Sequence, residues 1–286
     1  MPVHYDLHSH SRASDGTLSP AELVAAAHAG GVDVLALTDH DTTDGLAEAA
    51  QVARPLGMQL VPGVEISVSW QSQTIHVLGL GVDSACEPLQ DGLSGLREFR
   101  DWRAGEIGRR LARAGIPDCY AGACSYARGS IVGRMHFAHH LVAQGHAKSV
   151  RDVFKRFLVN NKPGYVSGKW AGLEDALHWI DAAGGLAVVA HPARYGMTAS
   201  KLRRFLGEFR ECGGVGMEVI SGSHSRDNVT AMAALCRSQN MLASCGSDYH
   251  GPENPWIRLG QLPDLPTACQ PVWESDRWPL SGMELQ

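Results

Sequence analysis

Two histidines near the start of the chain, His8 and His10, are separated by a single serine. They follow a short apolar–polar run over residues 3–7, a pattern typical of a strand. Alternate side chains of an extended strand point to the same side, so both imidazoles would lie on one face. They could bind one metal ion there, with Asp15 returning from the following loop as an anionic ligand. His-x-His alone is a weak signal, so the prediction depends on further ligands along the chain.

Histidines and carboxylates recur downstream, most of them where strand-like runs end. An apolar run over residues 32–37 leads to His40, and the run over 59–64 leads to Glu65. Later runs over 186–190 and 241–245 lead in the same way to further ligand types. The complete candidate set comprises His8, His10, Asp15, His40, Glu65, His76, His191, Asp248 and His250.

This donor set indicates which metals to expect. Imidazoles and carboxylates without thiolates suit manganese, zinc or iron better than copper(I) or an iron–sulfur cluster. The set also exceeds what one ion needs, which indicates a multinuclear site with a bridging carboxylate or hydroxide.

The elements that position these residues alternate between strand and helix. After Asp15, a helix start is predicted from Ser19 as N-cap, Pro20 at the first helical position and Glu22 closing a capping box. Further helices are predicted near residues 44–56, 173–183, 199–212 and 227–239, between the apolar runs. Since active sites of parallel barrels lie at the carboxyl ends of their strands, the pattern predicts an α/β barrel with the ligands at that end.

The alternation breaks between about residues 89 and 169, where helical periodicity continues without strands. We therefore predict two parts: a metal-binding barrel over 1–88 and 170–286, and a helical insertion over 89–169 that covers the active site. The tail after Gly251 has little periodicity and is expected to wrap irregularly around the barrel.

Composition narrows the possible partners and compartment. The net charge of −5 gives no global basic field toward nucleic acid or a membrane surface. The seven cysteines include no Cys-x-x-Cys pair, which favours buried free thiols in a reducing compartment. The first residues show no signal-peptide pattern, and no apolar run is long enough to cross a bilayer. We expect a cytoplasmic protein without membrane association or an obligate protein partner.

Taken together, the motifs resemble those of the PHP family, the polymerase and histidinol phosphatase superfamily. The resemblance rests on five motifs: His8-Ser9-His10 with Ser14-Asp15-Gly16, Thr38-Asp39-His40-Asp41, Gly63-Val64-Glu65 with His76, Ala190-His191-Pro192, and Ser247-Asp248-Tyr249-His250. It covers residues 1 to about 251, and no ligand position departs from the family pattern. It implies a distorted (β/α)7 barrel of seven parallel strands and a trinuclear metal site. Mn2+ is the expected ion, with two or three bound, while Zn2+, Fe2+ and Mg2+ stay open.

The insertion resembles that of bacterial family members acting on nucleotides, through Ile131-Val132-Gly133-Arg134-Met135-His136 and Lys162-Pro163-Gly164-Tyr165-Val166. The resemblance implies removal of the 3′-phosphate from nucleoside 3′,5′-bisphosphates, leaving the 5′-mononucleotide. It makes Arg134 a phosphate clamp, because a planar guanidinium can hold two phosphate oxygens. Trp102 could stack on a base, although a role as a core anchor is equally open. Arg103 could meet a second phosphate, Glu106 lies on the same helix, and His136 is a further candidate for phosphate contact.

Other polar residues receive plainer interpretations. His224 follows a predicted barrel strand and stays unassigned. Five arginines are expected to form a solvated helix face rather than a nucleic-acid track: Arg97, Arg100, Arg109, Arg110 and Arg113.

The expected reaction is metal-assisted phosphomonoester hydrolysis, with Asp15 and His191 as candidates for delivering a proton to the leaving oxygen. No phosphate-binding P-loop and no Gly-x-Ser-x-Gly nucleophile motif occur. Three alternatives stay open. They are a 5′-3′ exoribonuclease acting on short 5′-phosphorylated RNA, a histidinol-phosphate phosphatase, and a non-enzymatic PHP module. The negative charge argues against long RNA, the insertion against histidinol phosphate, and the complete ligand set against a module without activity.

Overall fold

Seven strands form one barrel-like sheet whose spatial order follows the chain. The computed structural model describes residues 3–129 and 131–279. The strands are β1 (Tyr5–Asp6), β2 (Val34–Leu37), β3 (Gln59–Trp70), β4 (Gln73–Leu80), β5 (Leu186–Val189), β6 (Gly216–Ser221) and β7 (Leu242–Gly246). The backbone N–H of Leu7 donates to the carbonyl of Cys245 at 2.9 Å, so the last strand returns to the first. The prediction of a distorted α/β barrel is confirmed.

One strand runs against the others. β4 pairs antiparallel with both β3 and β5, so the expectation of seven parallel strands is wrong for β4. Only Gln71 and Ser72 connect β3 to β4, and Gln71 adopts a left-handed φ of 53°. A two-residue connection can make a hairpin, whereas a parallel crossover needs a dozen residues or more. His76 therefore sits within β4, opposite Ser67 of β3, and not beyond the carboxyl end of a strand.

Helices cover the outside of the sheet. The described part of the chain contains α1 (Pro20–Ala29), α2 (Leu46–Ala53), α3 (Glu87–Arg113), α4 (Cys119–Tyr126), α5 (Arg134–Ala143), α6 (Val150–Val153), α7 (Leu173–Ala182), α8 (Ala199–Glu211) and α9 (Arg226–Ser238). α1 begins with the predicted capping box, in which Ser19 Oγ accepts from Glu22 N and Glu22 accepts from Ser19 N.

The core lies in layers on both faces of the sheet. Alternate residues of β2, β4 and β5 form one apolar cluster with the chain tail, including Leu78, Val188 and Trp278. A second cluster joins the sheet to α3, α7, α8 and α9, and contains the fully buried Phe205 and Phe209. The tail after Gly251 contains only one short 3-10 turn, Val272–Glu274, within the described residues.

Helices α3–α6 follow β4 without an intervening strand in the described residues. They share a hydrophobic cluster of their own, with Ile107, Leu111, Phe137, Leu141 and Val153 fully or nearly fully buried. The division of the chain at residues 88 and 170 stays a prediction. Across the described ranges, no helix combines the length and the apolar character that a bilayer crossing requires.

Candidate metal centre

The barrel brings all nine residues of the candidate set to one end of the sheet. The hydroxyl of Ser9 donates to the carbonyl of Ala36 at 2.7 Å, on one side of the strand. The residues before and after Ser9 therefore point to the opposite side, into the barrel. Both of those neighbours, His8 and His10, are fully buried. The β-strand alternation that the sequence suggests thus places two imidazoles on one face.

Glu65 lies at the middle of the cluster and is fully buried. Its Oε2 is 2.9 Å from His40 Nδ1, and its Oε1 is 2.9 Å from His76 Nδ1. Five imidazoles approach this one carboxylate within 3.4 Å: His8, His10, His40, His76 and His191. A carboxylate surrounded in this way can bridge two cations.

Two aspartates complete the cluster. Asp248 Oδ1 lies 3.3 Å from His10 Nε2, and Asp15 Oδ1 lies 3.3 Å from His250 Nε2. Three overlapping groups each have their donor atoms within 4.8 Å of one another: His10, Asp15, His40 and His250; His8, His10 and Glu65; His40, Glu65 and His76. Shared members are what a multinuclear site requires.

The spacing of the ligand atoms suits the binding of divalent cations better than direct hydrogen bonds between the side chains. His8 Nε2 and His10 Nε2 are 3.0 Å apart, about the spacing of adjacent ligands that sit roughly 2.1 Å from one octahedral ion. Six buried side-chain atoms of the nine residues have no hydrogen-bond partner among the described residues: His10 Nδ1, Asp15 Oδ1, His40 Nδ1, Glu65 Oε2, His76 Nδ1 and His191 Nδ1. Leaving buried polar atoms unpaired is costly, and a bound cation would satisfy them.

Neighbouring charges shift the pKa values of the imidazoles and carboxylates in the cluster. Burial lowers the pKa of His10, but the neighbouring carboxylates of Asp248 and Glu65 outweigh this effect and raise it to about 10. Burial raises the pKa of Glu65, yet the imidazoles of His40, His76 and His8 hold it well below its usual range. These shifts favour the ionised form of Glu65 and the protonated form of His10, whose proton a bound cation would displace.

Two of the nine residues adopt backbone conformations that non-glycine residues seldom use. His191 has φ of 31° and Asp248 has φ of 55°, and each lies two residues beyond the end of a strand. Such strain persists only where the surroundings over-determine it, and it concentrates at functional sites.

Three side chains at the site were missed by the sequence analysis. Glu218 of β6 accepts from His8 Nδ1 at 2.9 Å and from the backbone N–H of His191 at 2.5 Å. Asp39 accepts from Ser11 and Ser14 and so holds the loop before Asp15. Arg194 donates to Asp248 Oδ2. A charged residue inside the apolar run of β6 is the one signal that could have singled out Glu218.

A cleft of about 440 Å3 lies above the cluster, and cations from the helical segment line its other wall. Arg100, Arg103 and Arg134 all face this cleft, beside Trp170. The expectation that Arg100 is solvated is wrong, because it is 9% exposed and donates to Asp41 at 2.6 Å. Arg109 and Arg113 do extend into solvent, with side chains 62% and 73% exposed.

Three predicted substrate contacts do not line the cleft. Trp102 is 54% exposed and stacks on Phe99 with ring centroids 5.5 Å apart. Glu106 pairs with arginines of its own helix. His136 is buried and accepts the backbone N–H of Gly133 at 2.9 Å, which caps the start of α5.

Comparison with known proteins agrees with this geometry. The sequence model of the PHP domain matches residues 6–163. A 3′,5′-nucleoside bisphosphate phosphatase of Chromobacterium violaceum is 47% identical over 94% of each chain. The 5′-3′ exoribonuclease Rnm of Escherichia coli is 44% identical over 99% of this chain and 97% of that one.

A solved structure extends the similarity to the whole fold. An amidohydrolase from Chromobacterium violaceum, with bound sulfate and no metal, superposes with a TM-score of 0.91 at 46% identity, covering 95% of each chain. The family match spans more than half of the sequence, and the relatives match along nearly all of it. The chain therefore belongs to the PHP domain family.

Proposed function

We propose that this protein is a metal-dependent phosphomonoesterase that removes the 3′-phosphate of nucleoside 3′,5′-bisphosphates. The products would be the 5′-mononucleotide and inorganic phosphate. The observation that carries the proposal is that one cleft joins two anion-binding walls, the metal-ligand cluster and the three arginines. A bisphosphate supplies one phosphate for each wall. The phosphatase relative supports this substrate class.

Arg134 is the strongest candidate for holding the second phosphate. Its guanidinium lies over the Phe154 ring, 5.5 Å from the centroid, and has no hydrogen-bond partner among the described residues. Burial lowers its pKa, as does the nearby charge of Arg100. Burial likewise lowers the pKa of Arg103 to about 9, with Arg134 and Arg100 acting in the same direction. A dianionic phosphate would offset the mutual repulsion of these three cations.

The nine residues of the cluster would hold the metal, for which we propose two or three Mn2+ ions. Bound divalent ions would activate water and offset charge on the phosphoryl oxygens. Arg194 fixes the orientation of Asp248 through the oxygen that does not face His8 and His10. We keep Asp15 and His191 as candidates for proton transfer to the leaving 3′-oxygen, because both side chains line the cleft.

We propose a cytoplasmic location and no obligate protein partner. All seven cysteines lie within the described residues, and all of them are free thiols there. Free thiols support a reducing compartment. Small nucleotides are the proposed substrates.

Activity on short 5′-phosphorylated RNA is the second candidate, and the exoribonuclease relatives favour it. Such an RNA also carries two phosphates at the spacing of a bisphosphate. Histidinol phosphate would leave the arginine wall empty, and a non-enzymatic role would leave the donor atoms without a purpose.

Phosphate release by the Mn2+-loaded protein tests the proposal. The panel is adenosine 3′,5′-bisphosphate, 3′-AMP, 5′-AMP and histidinol phosphate. We expect a marked preference for the bisphosphate over 3′-AMP, with 5′-AMP as product. Equal rates on both 3′-phosphates would remove the role of the arginine wall, and release from histidinol phosphate alone would overturn the nucleotide assignment.

A further inference from the structure

A second cavity, of about 140 Å3, adjoins the catalytic cleft on the side of β6 and β7. Ile257 lines both spaces, so they are neighbours. The three arginines line the cleft but not this cavity. Arg100 donates to Ser67 of β3, and both Arg100 and Arg103 lie over the ring of Trp170, whose backbone N–H donates to Ser69 of β3. The metal-ligand cluster therefore has an anion-binding wall on its β3 side and an unassigned cavity on its β6–β7 side.

The loop over residues 253–258 connects the cleft to this cavity. Asn254 lines the cleft, and its side chain accepts the backbone N–H of Trp256 at 3.4 Å. Trp256 lines the cavity and is 89% exposed, the highest exposure among the large hydrophobic residues described. An indole face this open, at the mouth of a polar cavity, is a platform on which a base can stack.

His224 offers a hydrogen-bond acceptor inside the cavity. Its Nδ1 lies 3.1 Å from the carbonyl of Val219, so that nitrogen carries the proton. Its Nε2 is then a bare acceptor, and it is buried without a partner among the described residues. Ser221, Ser247 and Arg258 add further polar groups to the lining. A ligand with donors on a planar ring or a ribose matches these groups.

We propose that this cavity binds the nucleotide that follows the scissile phosphate in a short RNA, with Trp256 stacking on its base. The inference rests on the proposed function, which assigns the 5′-phosphate to the arginines and the next phosphate to the cluster. In a bisphosphate that phosphorus carries no further group. In RNA it also carries the 5′-oxygen of the next nucleotide, so the RNA chain continues from the cluster beyond the first nucleotide. The cavity adjoins the cleft and gives this continuation a place outside the arginine wall.

The reaction is the same in both substrates. Water adds across the bond between phosphorus and the 3′-oxygen, and that oxygen takes up a proton. The first nucleotide leaves as a 5′-mononucleotide, and the phosphoryl group stays on the remaining RNA as its new 5′-phosphate. The product is therefore again a substrate, shortened by one residue.

Comparing two substrates isolates the subsite. We would measure kcat/KM of wild type, Trp256→Ala and Trp256→Phe on adenosine 3′,5′-bisphosphate and on the 5′-phosphorylated diadenylate. We expect Trp256→Ala to lower kcat/KM about tenfold or more for the dinucleotide and to leave the bisphosphate unchanged, because only the dinucleotide has a second base. Trp256→Phe keeps a ring and should restore most of the loss. Trp102→Ala, which removes an exposed indole away from the cleft, should change neither value.

Other outcomes overturn the subsite. They are equal losses on both substrates, no loss on either, or a dinucleotide defect in Trp102→Ala but not in Trp256→Ala. A wild-type enzyme that hydrolyses the bisphosphate but not the dinucleotide would overturn it too, while the proposed function stands. Dinucleotide cleavage sensitive to Trp256, without bisphosphate hydrolysis, would instead support the subsite and overturn the phosphomonoesterase assignment.

Discussion

The carboxylate of Glu218 lies 2.9 Å from Nδ1 of His8, and both side chains are fully buried. This contact holds the proton on Nδ1 and turns the Nε2 lone pair toward the cluster. The same carboxylate accepts the backbone N–H of His191, so Glu218 orients two residues of the candidate set. Carboxylate partners of this kind fix the tautomer and the basicity of metal-binding imidazoles.

We expect Glu218→Gln to weaken Mn2+ binding about 10- to 100-fold, because an amide is a weaker acceptor for the His8 proton. Calorimetric titration of the metal-free protein would measure the change. Glu174→Gln is the matched control on an exposed helix position and should bind Mn2+ as wild type does. Unaltered affinity in Glu218→Gln, with the fold intact by circular dichroism, would show that Glu218 only fills space.

Arg134→Ala should lower kcat/KM for adenosine 3′,5′-bisphosphate about 10- to 100-fold, since hydrogen bonds to a charged group contribute about 1.5–3 kcal/mol. Metal content, measured by elemental analysis, should stay near that of wild type. Arg113→Ala removes an arginine with a 73% exposed side chain and should leave both quantities unchanged. Loss of metal from Arg134→Ala would mean that this residue supports the cluster rather than the substrate.

The pH dependence of the metal-free protein should oppose that of metal binding. The pKa of His10 rises from 6.5 to about 10 through its carboxylate neighbours. A raised pKa stabilises the fold below about pH 6.5, and this contribution is lost as the pH rises toward 10. Mn2+ affinity should rise over the same window, because the ion displaces those protons. Thermal unfolding with and without Mn2+ between pH 6.5 and 9.5 would check both trends, and parallel curves would contradict them.

Gly246→Ala should disrupt the cluster. A Cβ at Gly246 would lie 2.2 Å from His8 Cβ and 2.7 Å from Glu218 Oε1, so His8 would have to shift. We expect loss of bound Mn2+ with most helical structure retained. Gly207→Ala provides the control, because a Cβ there meets nothing within 4 Å and the helix α8 should gain stability of about 0.5–1 kcal/mol. Wild-type metal content in Gly246→Ala would show that the strand end adapts.

Local patterns predicted more of this molecule than long-range ones. The capping box of α1 depends on residues three apart, and the structure contains it as predicted. The direction of β4 depends on pairing across the sheet, and a family resemblance gave it wrongly. The two-residue connection after Trp70 was the available signal.

The orientation of α3 is a second feature that local sequence patterns did not predict. Arg100 and Arg103 are three residues apart and therefore share a side of the helix, whereas Trp102 points elsewhere. Sequence periodicity does not say which side meets the cleft. That choice follows from tertiary contacts, with both guanidinium groups lying about 5 Å from the centroid of the Trp170 ring. Burial of Arg100 follows from its bonds to Asp41 and Ser67, which are distant in the chain.

The reversed strand has a consequence for how this enzyme class can change. Because β4 runs backwards, its end at Leu80 pairs with Leu186, the first residue of β5, five residues before His191 in the chain. The 27-residue helix α3, about 40 Å long, starts at Glu87, seven residues after this end of β4, and carries Arg100 and Arg103 to the cleft. The helix that carries these arginines thus joins the sheet through the Leu80 end of β4 and not through a residue that holds the metal. The length of this helix and of the loops that follow it can therefore change during evolution while the ligand positions stay fixed. Such changes would alter the size of the substrate that the cleft accepts.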